Sequence, residues 1–214
     1  MTKKKAIILI IAAVALVGIA VVVYNFVFNG SKSVGINSSI TNEDGKNPKV
    51  DTKNQKILVV YFSETGNTQA LAKIISDQVG GDFRRIETVK AYPSGNALYD
   101  YAKKERDDDA RPELKDLGVN PEDYDVIFVG YPMWWYTLPM PMYTFFDAYD
   151  FSGKTIVPFN THHGSGDGGT YETIKGFEPN ATVLEGLPVE GNDMDKNQTS
   201  VVVNWLEKIG FSQK

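Results

Sequence analysis

The chain has 214 residues, 22 basic against 27 acidic, and no cysteine. The absence of Cys excludes disulfide frameworks, cysteine zinc sites, iron–sulfur clusters and thiol nucleophiles, and the net charge of -5 lacks the basic face of a general nucleic-acid binder. The charge is unevenly spread: residues 1–55 hold seven basic and three acidic residues, leaving 15 against 24, or -9, for the other 159.

Lys3, Lys4 and Lys5 precede 18 apolar residues from Ala6 to Val23, continued by Phe26, Val27 and Phe28. A helix over 6–28 would span roughly 34 Å, enough to cross a hydrocarbon core of about 30 Å. Residues 1–28 are therefore expected to be an N-terminal membrane anchor. Ala13-Val14-Ala15 resembles a signal-peptide cleavage site, but the apolar run continues well past it, where a mature polar start belongs. The three lysines favour a cytoplasmic N-terminus and an extracytoplasmic soluble domain. Residues 29–55, rich in Asn, Ser, Lys, Gly and Thr without helical or strand period, read as a flexible tether.

From 56 to 214 short apolar runs alternate with helical patterns. Ile57–Phe62 predicts a buried strand, followed by a helix whose Leu71, Ile74, Ile75 and Val79 recur at helical spacing until Gly80-Gly81 ends it. Phe83–Val89 predicts a weaker strand and Ala97–Arg106 a helix. Val126–Gly130 and Thr155–Asn160 predict two more buried strands, with a helix over Met140–Phe146 between them. Thr182–Val189 predicts a fifth strand, and Val201, Val202, Trp205 and Ile209 mark the apolar face of a closing helix. Strand and helix alternation with near-continuous apolar strands predicts an α/β, doubly wound parallel sheet. Ligands of such folds lie at the carboxyl ends of strands, which directs attention to three loops.

The first loop is Ser63-Glu64-Thr65-Gly66-Asn67-Thr68. Three hydroxyls, a glycine and a helix N-terminus make an anion cradle suited to a phosphate monoester; a helix cap by Asn67 or Thr68 would explain only part of this set. The second, Pro132-Met133-Trp134-Trp135-Tyr136 after Tyr131, is aromatic and suited to a flat ring. The third, Asn160-Thr161-His162-His163-Gly164-Ser165-Gly166, contains both histidines of the chain. Two adjacent histidines without further ligands do not make a metal site. Gly164, Gly166 and Gly169 fit G-x-G-x-x-G, but on a late strand rather than the first unit of a dinucleotide fold. Gly153-Lys154-Thr155 ends like a triphosphate-binding loop, yet Ala148 stands where its first glycine belongs.

The stretch VVYFSETGNTQALA, with Ser63, Thr65, Gly66 and Thr68 in S-x-T-G-x-T register, resembles the phosphate-binding loop of flavodoxins, which bind flavin mononucleotide (FMN). The likeness runs from 56 to 214 and is strongest to short-chain flavodoxin-like proteins with a Trp-rich second loop. It implies a five-stranded sheet of order 2-1-3-4-5, with FMN held by the three loops at the residues named above. Trp134 or Trp135 would stack on the flavin, spacing leaving open which, and the third loop would wrap its polar edge. Where carrier flavodoxins commonly place a tyrosine, this chain has His162 and His163. They either face solvent or tune the flavin, with His162 the candidate. The resemblance further implies electron transfer with redox partner proteins, the acidic domain favouring basic ones. The alternative is an FMN-dependent reductase of quinones or other small acceptors, fed by NAD(P)H or a membrane donor.

Overall fold

A computed structural model describes residues 55–211. The predicted anchor over 1–28 and the tether lie outside the described residues, apart from Gln55. Among the described residues, no helix is long and apolar enough to cross a membrane.

Consecutive apolar residues form strands here because both faces of the sheet are covered. Strand β1 (Ile57–Tyr61) sends Ile57, Val59 and Tyr61 to one face, where Leu71, Ile75 and Val79 of helix α1 (Asn67–Val79) meet Val202 and Trp205 of helix α5 (Thr199–Lys208). Leu58 and Val60 face the other side, against Met142, Phe145 and Phe146 of helix α3 (Met140–Ala148) and Ile174 of helix α4 (Thr170–Phe177). Each fully buried side chain of this kind contributes about 1.5–3 kcal/mol.

Strands β2 (Asp82–Arg85), β1, β3 (Val126–Pro132), β4 (Thr155–His162) and β5 (Thr182–Val183) lie side by side in that order. All their pairings are parallel, and the order is the predicted 2-1-3-4-5. Between β2 and β3 comes helix α2 (Asn96–Asp107).

The predicted fifth strand is broken. After β5, residues 184–186 leave the ladder and β6 (Leu187–Glu190) resumes pairing with β4, Phe159 opposite Leu187 and His162 opposite Glu190. Pro158 of β4 has no N–H to donate at the break. The Tyr171 ring fills the space there, so that a Cβ on Gly186 would lie 2.4 Å from it. The second strand is also shorter than predicted: beyond Arg85 the chain leaves the sheet, and Thr88 bridges Leu114 instead. Strands β3 and β4 run two residues past their predicted ends, pairing Tyr131 with Asn160 and Pro132 with Thr161. That extension sets the height from which the second and third loops depart.

Gly81 joins α1 to β2 at φ +88, and a Cβ there would lie 2.2 Å from the Ile57 carbonyl oxygen. Both the left-handed backbone and the backbone contact forbid a side chain, so Gly81→Ala is expected to destabilise the fold by about 2–3 kcal/mol, measured by urea unfolding.

Candidate functional site

The carboxyl ends of β1, β3 and β4 carry the three loops. In the first, Gly66 takes a left-handed conformation (φ +96) as the residue preceding α1, and its N–H donates to Ser63 Oγ at 3.2 Å. This turn delivers the chain into a helix with no side-chain cap and no acidic residue in its first turn. Asn67 and Thr68 therefore do not cap α1. Thr68 is buried and shares a 2.8 Å hydrogen bond with the Thr161 hydroxyl. Asn67 Nδ2 reaches the Gly191 carbonyl at 3.3 Å. Thr65 is exposed at the open side of the turn. Glu64 turns toward Arg85, 3.5 Å from its carboxylate, while Arg85 also donates to the Ser63 carbonyl at 2.6 Å. An uncapped helix N-terminus above a glycine turn is suited to an anion, and Arg85 offsets the one carboxylate beside it.

The second loop is a tight hairpin. Trp134 and Thr137 exchange backbone hydrogen bonds of 3.1 and 3.0 Å, and the two residues between them, Trp135 and Tyr136, are both left-handed (φ 51 and 62). Asn and Gly are the residues that ordinarily occupy such positions; two bulky aromatics there store backbone strain. Trp134 packs inward, nearly perpendicular to Phe62 (centroids 5.2 Å apart) and Tyr92 (5.4 Å). Trp135 donates from its indole N–H to the Tyr99 carbonyl at 3.1 Å, and the Arg106 guanidinium lies 5.5 Å from its ring centroid. Met133 donates its N–H to the Thr161 carbonyl at 2.7 Å, and Pro132 ends the strand beside it.

The third loop is pinned from several sides. Asn160, fully buried, donates to the Gly166 carbonyl at 3.0 Å and accepts the Tyr171 hydroxyl at 2.6 Å. Tyr131 and Thr170 share a 2.8 Å hydrogen bond, and the Thr170 hydroxyl donates to the Asp167 carbonyl at 2.6 Å. Burial pushes both tyrosine hydroxyls well above their ordinary pKa, so they remain neutral donors.

The histidines divide. His162 is 13% exposed and lies against Glu190, whereas His163 is 68% exposed and also reaches Glu190, 3.2 Å from Nδ1. His163 and Ser165 form one wall of a cleft of about 230 Å³. The hairpin residues Met133, Trp134, Trp135 and Tyr136 form the second wall, and Leu98, Tyr99 and Ala102 of α2 the third. His163 lines this cleft, and His162, the candidate from the sequence, does not.

The chain matches the Flavodoxin family profile over residues 56–209. It belongs to the flavodoxin family. A provisionally named flavoprotein from Bacteroides eggerthii shares 32% identity, with 74% of this chain and 100% of that one aligned at a TM-score of 0.64. A similar protein from Bacteroides uniformis shares 30% identity over 73% of this chain and 100% of its own, at 0.65. A Lactobacillus acidophilus flavoprotein in complex with FMN shares the fold at 20% identity, covering 66% of this chain and 97% of its own at 0.54. No curated protein matches the chain.

The sequence directs attention to the post-strand loops, but not to the α2 wall of the cleft, the Arg85 guanidinium beside Glu64 or the Glu190 carboxylate beside the histidines. The α2 wall follows a strand only after a ten-residue excursion from β2, so no strand end points to it. Glu190 lies one residue past the predicted fifth strand, and an acidic residue at a strand's carboxyl end was the available signal.

Tyr136 is 78% exposed, so little packing offsets its left-handed backbone. Tyr136→Asn is expected to stabilise the domain by up to about 1 kcal/mol, read as a higher urea midpoint at unchanged m-value.

Proposed function

We propose that this flavodoxin-family protein binds FMN and transfers electrons, tethered by residues 1–28 to a membrane with its folded domain on the extracytoplasmic side. The observation that carries the FMN reading is the coupling of two complementary half-sites: an uncapped, acid-free helix N-terminus for a phosphate, and an aromatic cleft for a flat ring, joined through the buried Thr68–Thr161 hydroxyl pair. The residues fit the cofactor. Ser63, Thr65, Gly66 and the first N–H groups of α1 would hold the phosphate, and Trp134, Trp135, His163 and Ser165 would bound the ring.

Bound flavin supplies one- and two-electron redox chemistry. The chain's own residues position and shield it. The Trp134 and Trp135 indoles exclude water from one side of the cleft. His163 sets an imidazole at its margin, where a ring nitrogen can donate a hydrogen bond. The long apolar run after Lys3, Lys4 and Lys5 supports the anchor and its orientation.

The open rim of the cleft favours a second reading, a reductase of quinones or similar flat acceptors: Tyr99 and Tyr136 are 64% and 78% exposed beside it. Redox partner proteins are the acceptors under the first reading.

Full-length protein is expected to purify with flavin absorbance. Thr65→Glu places a carboxylate in the anion cradle and is expected to cost at least about 100-fold in FMN affinity, the effect of roughly 3 kcal/mol of charge repulsion and lost hydrogen bonding. Unchanged flavin content would remove the phosphate assignment. Rapid NAD(P)H oxidation dependent on added quinone would select the reductase over the carrier.

A further inference from the structure

We propose that Glu190 is a positioning residue of the third loop, fixing the Gly164 turn beside His163 at the wall of the ring cleft; its bearing on flavin rests on the FMN reading above. The parallel ladder sets Glu190 opposite His162 at the last pair between β4 and β6. From there its carboxylate reaches three groups of the third loop. Oε2 accepts the Gly164 N–H at 2.8 Å, while the two imidazoles lie nearby without hydrogen bonds to it, His162 Nδ1 3.3 Å from Oε2 and His163 Nδ1 3.2 Å from Oε1.

An ionised carboxylate that accepts backbone N–H groups makes charge-assisted hydrogen bonds, stronger than neutral ones. With the Gly164 amide donating first and the two imidazoles beside it, the Glu190 carboxyl is held below the usual glutamate range, so it is ionised at neutral pH. Gly164 is the loop's turning point, left-handed at φ 85, and the Glu190 bond fixes that turn.

Gly191 completes the clamp. A Cβ there would lie 2.7 Å from His163 Cε1 and 3.0 Å from Nε2, so the imidazole rests in the space that the missing side chain leaves. The Gly191 carbonyl meanwhile accepts Asn67 Nδ2 from the phosphate loop at 3.3 Å. Two consecutive residues at the end of β6, Glu190 and Gly191, therefore tie the third loop to the first. His163 lines the cleft; Glu190 acts on a bound ring only through the residues it holds.

The test compares full-length wild type with Glu190→Ala, Glu190→Gln and Gly191→Ala. Two measurements are made: hydrogen exchange at the Gly164 amide without flavin, and FMN titration followed by flavin fluorescence and visible absorbance. Glu190→Ala is expected to speed Gly164 exchange and to weaken FMN binding, each about tenfold. Glu190→Gln keeps an acceptor oxygen and is expected to restore both to within about threefold of wild type. Gly191→Ala keeps the carboxylate but displaces the His163 ring, and is expected to alter the bound flavin's spectrum while Gly164 remains protected.

Gly164 exchange and FMN affinity in Glu190→Ala equal to wild type would overturn the proposal, as would failure of Glu190→Gln to rescue a folded protein. If wild type takes up no FMN, the FMN reading falls by itself. Faster Gly164 exchange in Glu190→Ala, rescued by Glu190→Gln, would then still uphold the positioning role.

Discussion

At the carboxyl end of β4, Thr161 joins three loops that are far apart in sequence. Its carbonyl accepts the Met133 N–H at 2.7 Å, its hydroxyl meets that of Thr68 at 2.8 Å, and it is opposite Pro132 in the ladder. These contacts are buried, with Thr161 only 4% exposed, so each polar atom left unpaired there would cost about 1–3 kcal/mol. The register of β3 on β4 is therefore fixed where it matters to the site. A slip of one residue would turn Thr161 to the opposite face of the sheet and separate the phosphate loop from the aromatic hairpin. The site is in this sense a property of strand pairing before it is a property of loops.

The aromatic residues divide along the same lines. Trp134, Tyr92 and Phe62 form a perpendicular cluster beneath the cleft, with Tyr92 donating to Glu105 at 2.5 Å. Burial raises the Glu105 pKa, although the Tyr92 hydrogen bond opposes the rise. That cluster holds α2 against the hairpin, which is why a helix between β2 and β3 can wall a cleft built mainly by later loops. Trp135 and Tyr136, outside the cluster, bear the left-handed backbone. Strain at such positions persists only where surrounding contacts over-determine it; for Trp135 these are the Tyr99 carbonyl and the Arg106 guanidinium. For Tyr136 the contacts are fewer, and the hairpin's closing hydrogen bonds hold it from either side.

A parallel sheet covered on both faces was legible because burial on two sides leaves apolar runs such as ILVVY and VIFVG, whereas the strand order was implied only by the flavodoxin resemblance. The post-strand loops were legible for the same reason, since strand ends locate them. What escaped is what depends on tertiary geometry. Pro158 signals a gap in the ladder, but not that the Tyr171 ring occupies it beside Gly186. Thr68 reads equally well as a cap or as a cradle residue, and only the approach of Thr161 decides that its hydroxyl turns to the neighbouring strand. His162 and His163 are adjacent in sequence and both lie near Glu190, yet His162 ends β4 half-buried while His163, just past it, lines the cleft. What was not available is that β4 extends two residues past its predicted end, which takes His162 into the sheet and leaves His163 outside it.

An anion site in a domain bearing -9 over residues 56–214 poses an electrostatic question. Long-range charge is screened over about 8 Å at physiological ionic strength, so distant carboxylates oppose a bound phosphate only weakly. The cradle relies instead on short-range partners: the backbone N–H groups at the start of α1, and Arg85 set against the one nearby acid, Glu64. Hydroxyls and amides bind a phosphate without adding a net positive charge. Under the proposed function, the domain's acidity would act on partners approaching from solution, favouring basic surfaces. In that proposal, retention of a phosphate and choice of partner would be governed by different residues, so that each could change with little effect on the other.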